Sequence, residues 1–207
     1  MSNFGLVVIG AHHGFWLEDE ILKITKDILL VEPVDYNYLL LEKRFSAAKN
    51  IFFCKSFISN KDGDKINFYY VKENSIPKLG KHWASGLGSF SKDLILSHRS
   101  KRFKITENDL EFKTMESVSF NSLCKRYKIS SIDKLILDIE GSEKEVLKTI
   151  NYEEFKISEI QFEFKHLDGY LDYKNSLNDL ILFFNSKNFI TSKFRFFIAI
   201  IYNSLYI

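Results

Sequence analysis

LVVIGAHHG at residues 6–14 and ILLVEP at residues 28–33 decide the fold of this chain. Each begins with an apolar run typical of a buried β-strand, and Phe15 to Thr25 between them carries apolar residues at helical spacing. A strand, a glycine turn, a helix and a second strand form a βαβ unit. The sequence therefore predicts that the chain opens an α/β fold with parallel strands.

The turn and the end of the second strand predict a nucleoside site. Gly10 and Gly14 let the backbone approach a ligand closely, and Glu32, 22 residues after Gly10, stands where a ribose offers its hydroxyls. The turn reads Gly-x-x-x-Gly, so a cofactor without phosphates, such as S-adenosylmethionine, fits it better than a dinucleotide. The alternative is a purely structural strand edge, with Glu32 capping a helix or facing solvent.

Composition limits the class of protein. The 207 residues, 45% of them hydrophobic, suffice for one domain with a sizeable core, and the net charge of +2 argues against a general nucleic-acid binder. Cys54 and Cys124 match no metal or redox spacing, so we expect buried thiols in a reducing cytoplasm. We expect no signal peptide and no membrane span, since the longest apolar tract, Phe196 to Ile201, is too short.

Alternating strand-like and helix-like stretches predict an α/β fold with a mostly parallel sheet, helices on both faces and an antiparallel C-terminal strand. Further helices are predicted at 36–48, 121–127, 142 onward and 176–186, and further strands at 50–59, 66–71, 114–119, 133–139, 158–164, 188–192 and 196–202. Residues 61–64, Lys-Asp-Gly-Asp, indicate a hairpin turn. Ser142 and Glu145 indicate a capping box at a helix start.

Regular periodicity stops at residues 72–104, which we treat as an insertion in a single domain spanning 1–207. This segment carries eight Lys and Arg residues against Glu73 and Asp93, a charge of +6, so the rest of the chain carries −4. It also holds Trp83 and Ser89 among glycines and serines. It is either a lid that stacks Trp83 on an acceptor and attracts an anionic one, or a solvated loop.

A second group of polar residues follows the later strands. Asp138 and Glu140 alternate with apolar neighbours, so we expect both on one side of a strand end, where they could remove a proton or orient a hydroxyl. Glu163 and His166 follow the next strand, and the histidine is a candidate general base. A structural role is the alternative for each. Adjacent His12 and His13 diverge on a turn, so we expect no metal there.

Taken in order, these motifs resemble the FkbM family of S-adenosylmethionine-dependent methyltransferases. Residues 8–14, VIGAHHG, resemble the family's Asp-Val-Gly-Ala-Asn-x-Gly, and VEP at 31–33 matches its Phe/Val-Glu-Pro. Residues 133–143, DKLILDIEGSE, match its Asp-x-Leu-Lys-Ile-Asp-Val-Glu-Gly-x-Glu. The third strand with Asp62-Gly63, SFNSL at 119–123 and IQFE at 160–163 complete the resemblance. Two positions depart from it: Val8 replaces the usual acid, and Leu137 the usual lysine.

The resemblance implies methyl transfer to a hydroxyl, commonly of a sugar, glycan or small metabolite. It implies a cofactor site at Gly10, Ala11, His12, His13, Gly14, Glu32 and Pro33, to which we add Phe57 in the third strand region. Asp138 or His166 would take the proton, and Glu140 would orient the acceptor. Trp83, Ser89 and Glu163 are the predicted acceptor-binding residues, and the histidine pair would contact the methionine carboxylate in place of the missing acid at Val8.

Two other functions stay open on the sequence alone. A non-catalytic cofactor-binding or interaction module on the same fold is the alternative, motivated by Val8. A nicotinamide-dependent oxidoreductase is disfavoured by the glycine spacing.

Overall fold

A computed structural model describes residues 2–195 and 198–204 of the chain. The strands are β1 (Ser2–Ile9), β2 (Asp27–Val31), β3 (Ile51–Cys54), β4 (Phe57–Ser59), β5 (Lys65–Val71), β6 (Gly88–Ser89), β7 (Leu110–Ser119), β8 (Ile129–Leu137), β9 (Lys156–Glu163), β10 (Phe189–Arg195) and β11 (Ile198–Asn203). The helices are α1 (Glu18–Ile21), α2 (Asp35–Arg44), α3 (Ile76–Leu79), α4 (Lys92–Ser97), α5 (Phe120–Arg126), α6 (Glu143–Thr149) and α7 (Lys174–Ser186).

The main sheet has seven strands in the order β10-β11-β9-β8-β1-β2-β3. Five neighbouring strands, β9, β8, β1, β2 and β3, run parallel to one another, whereas β11 is antiparallel to both β9 and β10. The predicted α/β fold with a mostly parallel sheet and an antiparallel end is thus confirmed. Because β1 lies between β2 and β8, the strand order reverses there, which opens a crevice at the carboxyl ends of these strands.

Alternate residues of β1 belong to two different hydrophobic clusters. Val7 and Ile9 pack with residues of α5, α6 and α7, whereas Leu6 and Val8 pack with residues of α1 and α2. This is the period of two expected of a strand that is buried on both faces. Helices therefore cover both sides of the sheet, as predicted.

The predicted third strand, 50–59, is in fact two strands in different sheets. It is interrupted at residues 55–56, so that β3 forms the edge of the main sheet and β4 joins a second sheet in the order β4-β7-β5-β6. The predicted hairpin is also wrong, because β7 lies between β4 and β5. The turn at residues 61–64 instead contacts the end of β7 and the start of α5. The Asp62 carboxylate accepts hydrogen bonds from the Ser119 amide (2.7 Å) and the Ser122 hydroxyl (2.7 Å).

Other predicted elements are present but begin or end at different residues. The helix expected over 15–25 is a 3-10 turn followed by the four-residue α1, which ends at Ile21. The last turn tightens there, since the Lys23 amide donates to the Glu20 carbonyl three residues back, and Leu22 is exposed. The two closing strands form the expected antiparallel pair, with residues 196 and 197 of the second prediction outside the described residues.

Residues 72–104 fold into short helical turns with α3, β6 and α4. Leu79, Ala84, Leu87, Ile95 and Phe103 form a hydrophobic cluster there, joined by residues of β5 and the start of β7. The segment is therefore packed rather than a solvated loop. Over the described part of the chain, no helix combines the length and the apolar character that a membrane crossing requires.

Candidate active site

A cavity of about 660 Å³ lies at the carboxyl ends of the central parallel strands and extends under residues 72–104. Its walls come from the glycine turn after β1, the end of β2, the start of β4, the segments that follow β8 and β9, and the 72–104 segment. Of the residues predicted for the site, those that line it are Gly10, His12, Glu32, Pro33, Phe57, Trp83, Asp138, Glu140 and Glu163. This is the position at which parallel α/β sheets bind their ligands.

Gly10 is held between two strands. Its backbone has a φ of +86°, and a Cβ on it would lie 1.9 Å from the Asp138 carbonyl oxygen. The amides of Gly10 and Ala11 both donate to the Val31 carbonyl, at 3.0 and 2.9 Å. Only glycine satisfies both the dihedral angle and the close approach at this point.

The other turn residues support the turn from behind. Ala11 is fully buried in the core, and a Cβ on Gly14 would lie within 2.6 Å of the Leu41 and Phe45 side chains. The His13 ring packs against the His12 ring with 3.9 Å between centroids and a tilt of 36°, and it does not line the cavity. Of the five predicted turn residues, the structure thus brings Gly10 and His12 to the cavity wall.

Glu32 is oriented by backbone amides. One carboxylate oxygen accepts a hydrogen bond from the His12 amide and the other from the Val34 amide, both at 2.9 Å. The residue is only 4% exposed, and burial raises the pKa of its carboxyl to about 7, against the opposing effect of these amides and of Asn37. The residue also lines the cavity, where its carboxylate can accept hydrogen bonds from hydroxyl groups.

His12 connects the turn to the 72–104 segment. Its Nε2 lies 2.7 Å from the Ser85 hydroxyl. Burial, reinforced by the neighbouring His13 and His82, lowers the pKa of the His12 ring to about 3. The ring is therefore neutral, so a contact between it and a methionine carboxylate would be a hydrogen bond rather than an ion pair. Val8 carries no polar group, and its side chain is fully buried in the core.

Three carboxylates meet where β8 and β9 end. One oxygen from each of Asp138, Glu140 and Glu163 lies within 4.8 Å of the other two. Burial and the negative charge of Asp138 raise the pKa of Glu140 well above its usual range, and the same causes raise that of Glu163 to about 7. Burial also raises the pKa of Asp138, while the nearby Lys165 opposes all three shifts. Burial and mutual repulsion therefore make it costly for all three carboxyl groups to be ionised at once.

The loop that carries Glu140 is held under strain. Glu140 has a φ of +52°, which is rare for a residue with a side chain, and Gly141 has a φ of +100°. The Glu143 carboxylate accepts the amides of Ile139 (2.7 Å) and Gly141 (3.0 Å), and the Ser89 hydroxyl donates to the Glu140 carbonyl. Ser89, predicted to bind the acceptor, is 1% exposed and supports this loop rather than lining the cavity.

The predicted capping box before α6 does not form. Ser142 makes no side-chain cap, and its buried hydroxyl has no hydrogen-bond partner among the described residues. The N-terminal amides that precede α6 are bonded by the Glu143 carboxylate instead. Burial raises the pKa of that carboxyl to about 8.

His166 lies behind the carboxylates. Its side chain is fully buried, its Nδ1 accepts the Leu171 amide at 3.1 Å, and its Nε2 lies 3.8 Å from a Glu140 oxygen. Burial, with Lys165 and His98 nearby, lowers the pKa of His166 to about 4. The neutral ring therefore contacts Glu140, and it does not line the cavity.

Several wall residues were not predicted for the site. These are chiefly the aromatic residues Trp16, Phe103 and Tyr170, the cations Arg102 and Lys165, and His98. Arg102 belongs to the basic segment whose charge the sequence made plain, but His98 and Tyr170 belong to no motif. Trp83 lines the cavity as predicted and packs on Phe103 with 4.5 Å between ring centroids.

The cavity thus combines a buried carboxylate beside a glycine turn with a cluster of three further carboxylates and an aromatic, cationic wall. The model for the FkbM methyltransferase domain matches residues 9–191, which is most of the chain. A search of curated proteins found no significant match. The matched region contains every residue of the cavity wall.

Proposed function

The chain belongs to the FkbM methyltransferase family, and on that basis we propose that it methylates a hydroxyl of a sugar, glycan or related small metabolite, with S-adenosylmethionine as the methyl donor. When bound, this cofactor supplies an electrophilic methyl group on a sulfonium. The observation that carries the proposal is that one cavity is lined by both Glu32 with its glycine turn and the Asp138 cluster. Cofactor and acceptor can therefore lie side by side, as transfer between them requires.

The cofactor end is assigned to residues at the ends of β1 and β2. Glu32 is fixed by the His12 and Val34 amides, and its carboxylate can accept hydrogen bonds from the two hydroxyls of a ribose. Gly10 leaves the space that a side chain would fill. Pro33 and Phe57 complete this part of the wall, while Ala11, His13 and Gly14 shape the turn.

Asp138 is the base that takes the hydroxyl proton of the acceptor. Its side chain is exposed and lines the cavity, so it can reach a hydroxyl bound there. Glu140 and Glu163 orient the acceptor hydroxyl beside it. His166 positions Glu140 and acts through it, since its own ring is buried behind that carboxylate.

The acceptor is anionic in this proposal. Lys81, Arg102 and Lys165 line the cavity, and no described carboxylate lies within ion-pair distance of Arg102 or Lys81. Trp83, which is 38% exposed, offers a ring face on which a sugar can stack. Residues 72–104 would then act as a lid over the acceptor.

A non-catalytic cofactor-binding module remains the second candidate, and the observation that favours it is the apolar Val8 in the core at the start of the cofactor turn. In either case we place the protein in the cytoplasm, in keeping with its two free, buried cysteines.

The first experiment is isothermal calorimetry of the full chain against S-adenosylhomocysteine. We expect micromolar binding that is lost in Glu32→Ala and unchanged in Asp19→Ala, an exposed acid on α1. A panel of neutral and anionic sugars is then tested for methyl transfer, with Arg102→Gln expected to raise KM for the anionic acceptors alone.

The outcomes separate the two candidates. Binding together with turnover on any hydroxyl acceptor supports the transferase. Binding without turnover across the panel supports the module. No binding of S-adenosylhomocysteine by the folded wild-type chain would overturn both.

A further inference from the structure

Two buried histidines and one glutamate converge under the acceptor end of the cavity. His98 follows α4, Glu140 lies in the loop after β8, and His166 follows β9, so three separate segments bring them together. One ligand atom from each lies within 4.8 Å of the other two, and the His166 Nε2 is 3.8 Å from a Glu140 oxygen. The two rings meet at 62° with 5.0 Å between centroids.

Each of these three residues has a buried side-chain atom without a partner. The Nε2 atoms of His98 and His166 and one carboxylate oxygen of Glu140 are buried, with no hydrogen bond to any described residue. The two histidines are 8% and 3% exposed. Buried polar atoms are nearly always paired, because an unpaired one loses its hydrogen bonds to water without gaining others. Three unpaired atoms on residues this close together are best explained by a ligand that all three bind.

The histidines differ in how they are held. The Nδ1 of His98 lies 3.0 Å from the Leu94 carbonyl, so it carries the ring proton and leaves the Nε2 lone pair free to bind a ligand. The Nδ1 of His166 accepts a hydrogen bond from the Leu171 amide, so without a bound cation the ring proton of His166 is on Nε2. Binding a cation at that Nε2 would move the proton to Nδ1 and release Leu171, so His98 and Glu140 bind first.

We propose that His98, Glu140 and His166 form a site for a divalent cation of the class of Zn²⁺, Co²⁺ or Mn²⁺. Two imidazoles and one carboxylate suit these ions, whereas Mg²⁺ and Ca²⁺ prefer oxygen ligands throughout. Three protein ligands leave a coordination position open, and His98 and Glu140 both line the cavity. In a step that rests on the proposed function, this position would bind the acceptor hydroxyl and make it more acidic.

Cobalt is the probe that tests the site, because a bound Co²⁺ absorbs visible light according to its ligands. The full chain is titrated with Co²⁺, and we expect one equivalent to bind, to be displaced by Zn²⁺ and to be unaffected by Mg²⁺. His98→Ala should weaken binding at least about tenfold. The matched control is His82→Ala, an exposed histidine of the same segment, which should bind Co²⁺ as the wild type does.

Folding and cofactor binding are measured on the same samples by thermal unfolding and by calorimetry with S-adenosylhomocysteine. If His98→Ala unfolds, Glu140→Gln, which keeps the size of the side chain, takes its place with the same expected loss. No Co²⁺ binding by the wild type, or equal binding by His98→Ala, overturns the metal site. Displacement by Mg²⁺ also overturns it, in favour of the Asp138 cluster. Co²⁺ binding without S-adenosylhomocysteine binding counts against the proposed function alone.

Discussion

The Asp138 carbonyl oxygen lies only 1.9 Å from the position that a Cβ on Gly10 would occupy. Gly10→Ala therefore adds a backbone clash to a φ of +86°, and we expect a loss of about 2–4 kcal/mol in the free energy of unfolding. The matched control is Gly63→Ala, with a φ of +81° and open space around it, which should lose about 1–2 kcal/mol. Urea unfolding measures both, and equal losses would contradict the close approach.

The pH dependence of cofactor binding should follow Glu32. Its folded pKa of about 7 lies above the usual 4.5, so folding takes up a proton between these values and stability falls as the pH rises through them. Ribose hydroxyls need the ionised carboxylate as acceptor, so affinity for S-adenosylhomocysteine should rise as the pH rises through 7. Calorimetry across this range should find a flatter profile in Glu32→Gln. An unchanged slope in that variant would assign the titration to another group.

Removal of the proposed base should slow the chemical step and leave the cofactor bound. We expect Asp138→Asn to lower kcat by about 10²–10⁴-fold with little change in affinity for S-adenosylhomocysteine. Asp133→Asn, in the strand β8 that precedes Asp138 and ion-paired with Lys26, is the control and should keep full turnover. If Asp138→Ala and His166→Ala both retain wild-type kcat, the catalytic assignments fail.

Two serines before helices should respond in opposite ways. Ser119 caps α5, where its hydroxyl accepts the Ser122 amide at 3.1 Å, so Ser119→Ala should cost about 1 kcal/mol. The Ser142 hydroxyl is buried and unpaired among the described residues, so Ser142→Ala should be neutral or stabilising. Thermal unfolding compares the two variants directly. A loss at Ser142 equal to that at Ser119 would restore the capping box that the sequence suggested.

The sequence predicted the features that depend on neighbouring residues, namely the first two strands and the turn and carboxylate that follow them. The apolar run before Gly10 and the carboxylate at Glu32 place one end of the cavity, because a strand that ends in a turn needs no knowledge of distant residues. The course of the chain beyond Ser59 depended on pairing with β7, some fifty residues later, and no local signal carries that pairing. His98 was missed for the same reason: only the folded chain brings it to Glu140 and His166.

The separate hydrophobic cluster of residues 72–104 has a consequence for how the protein can change. Its side chains pack mainly among themselves and against β5 and the start of β7, apart from the two clusters of the main sheet. Mutations of its apolar side chains therefore leave the packing of the two main-sheet clusters in place, whereas Ser85, which contacts His12 and Asn37, links the segment to the Glu32 end of the cavity. In the proposed function, acceptor preference can therefore change through apolar substitutions in this segment while the main sheet that carries the proposed cofactor site keeps its packing.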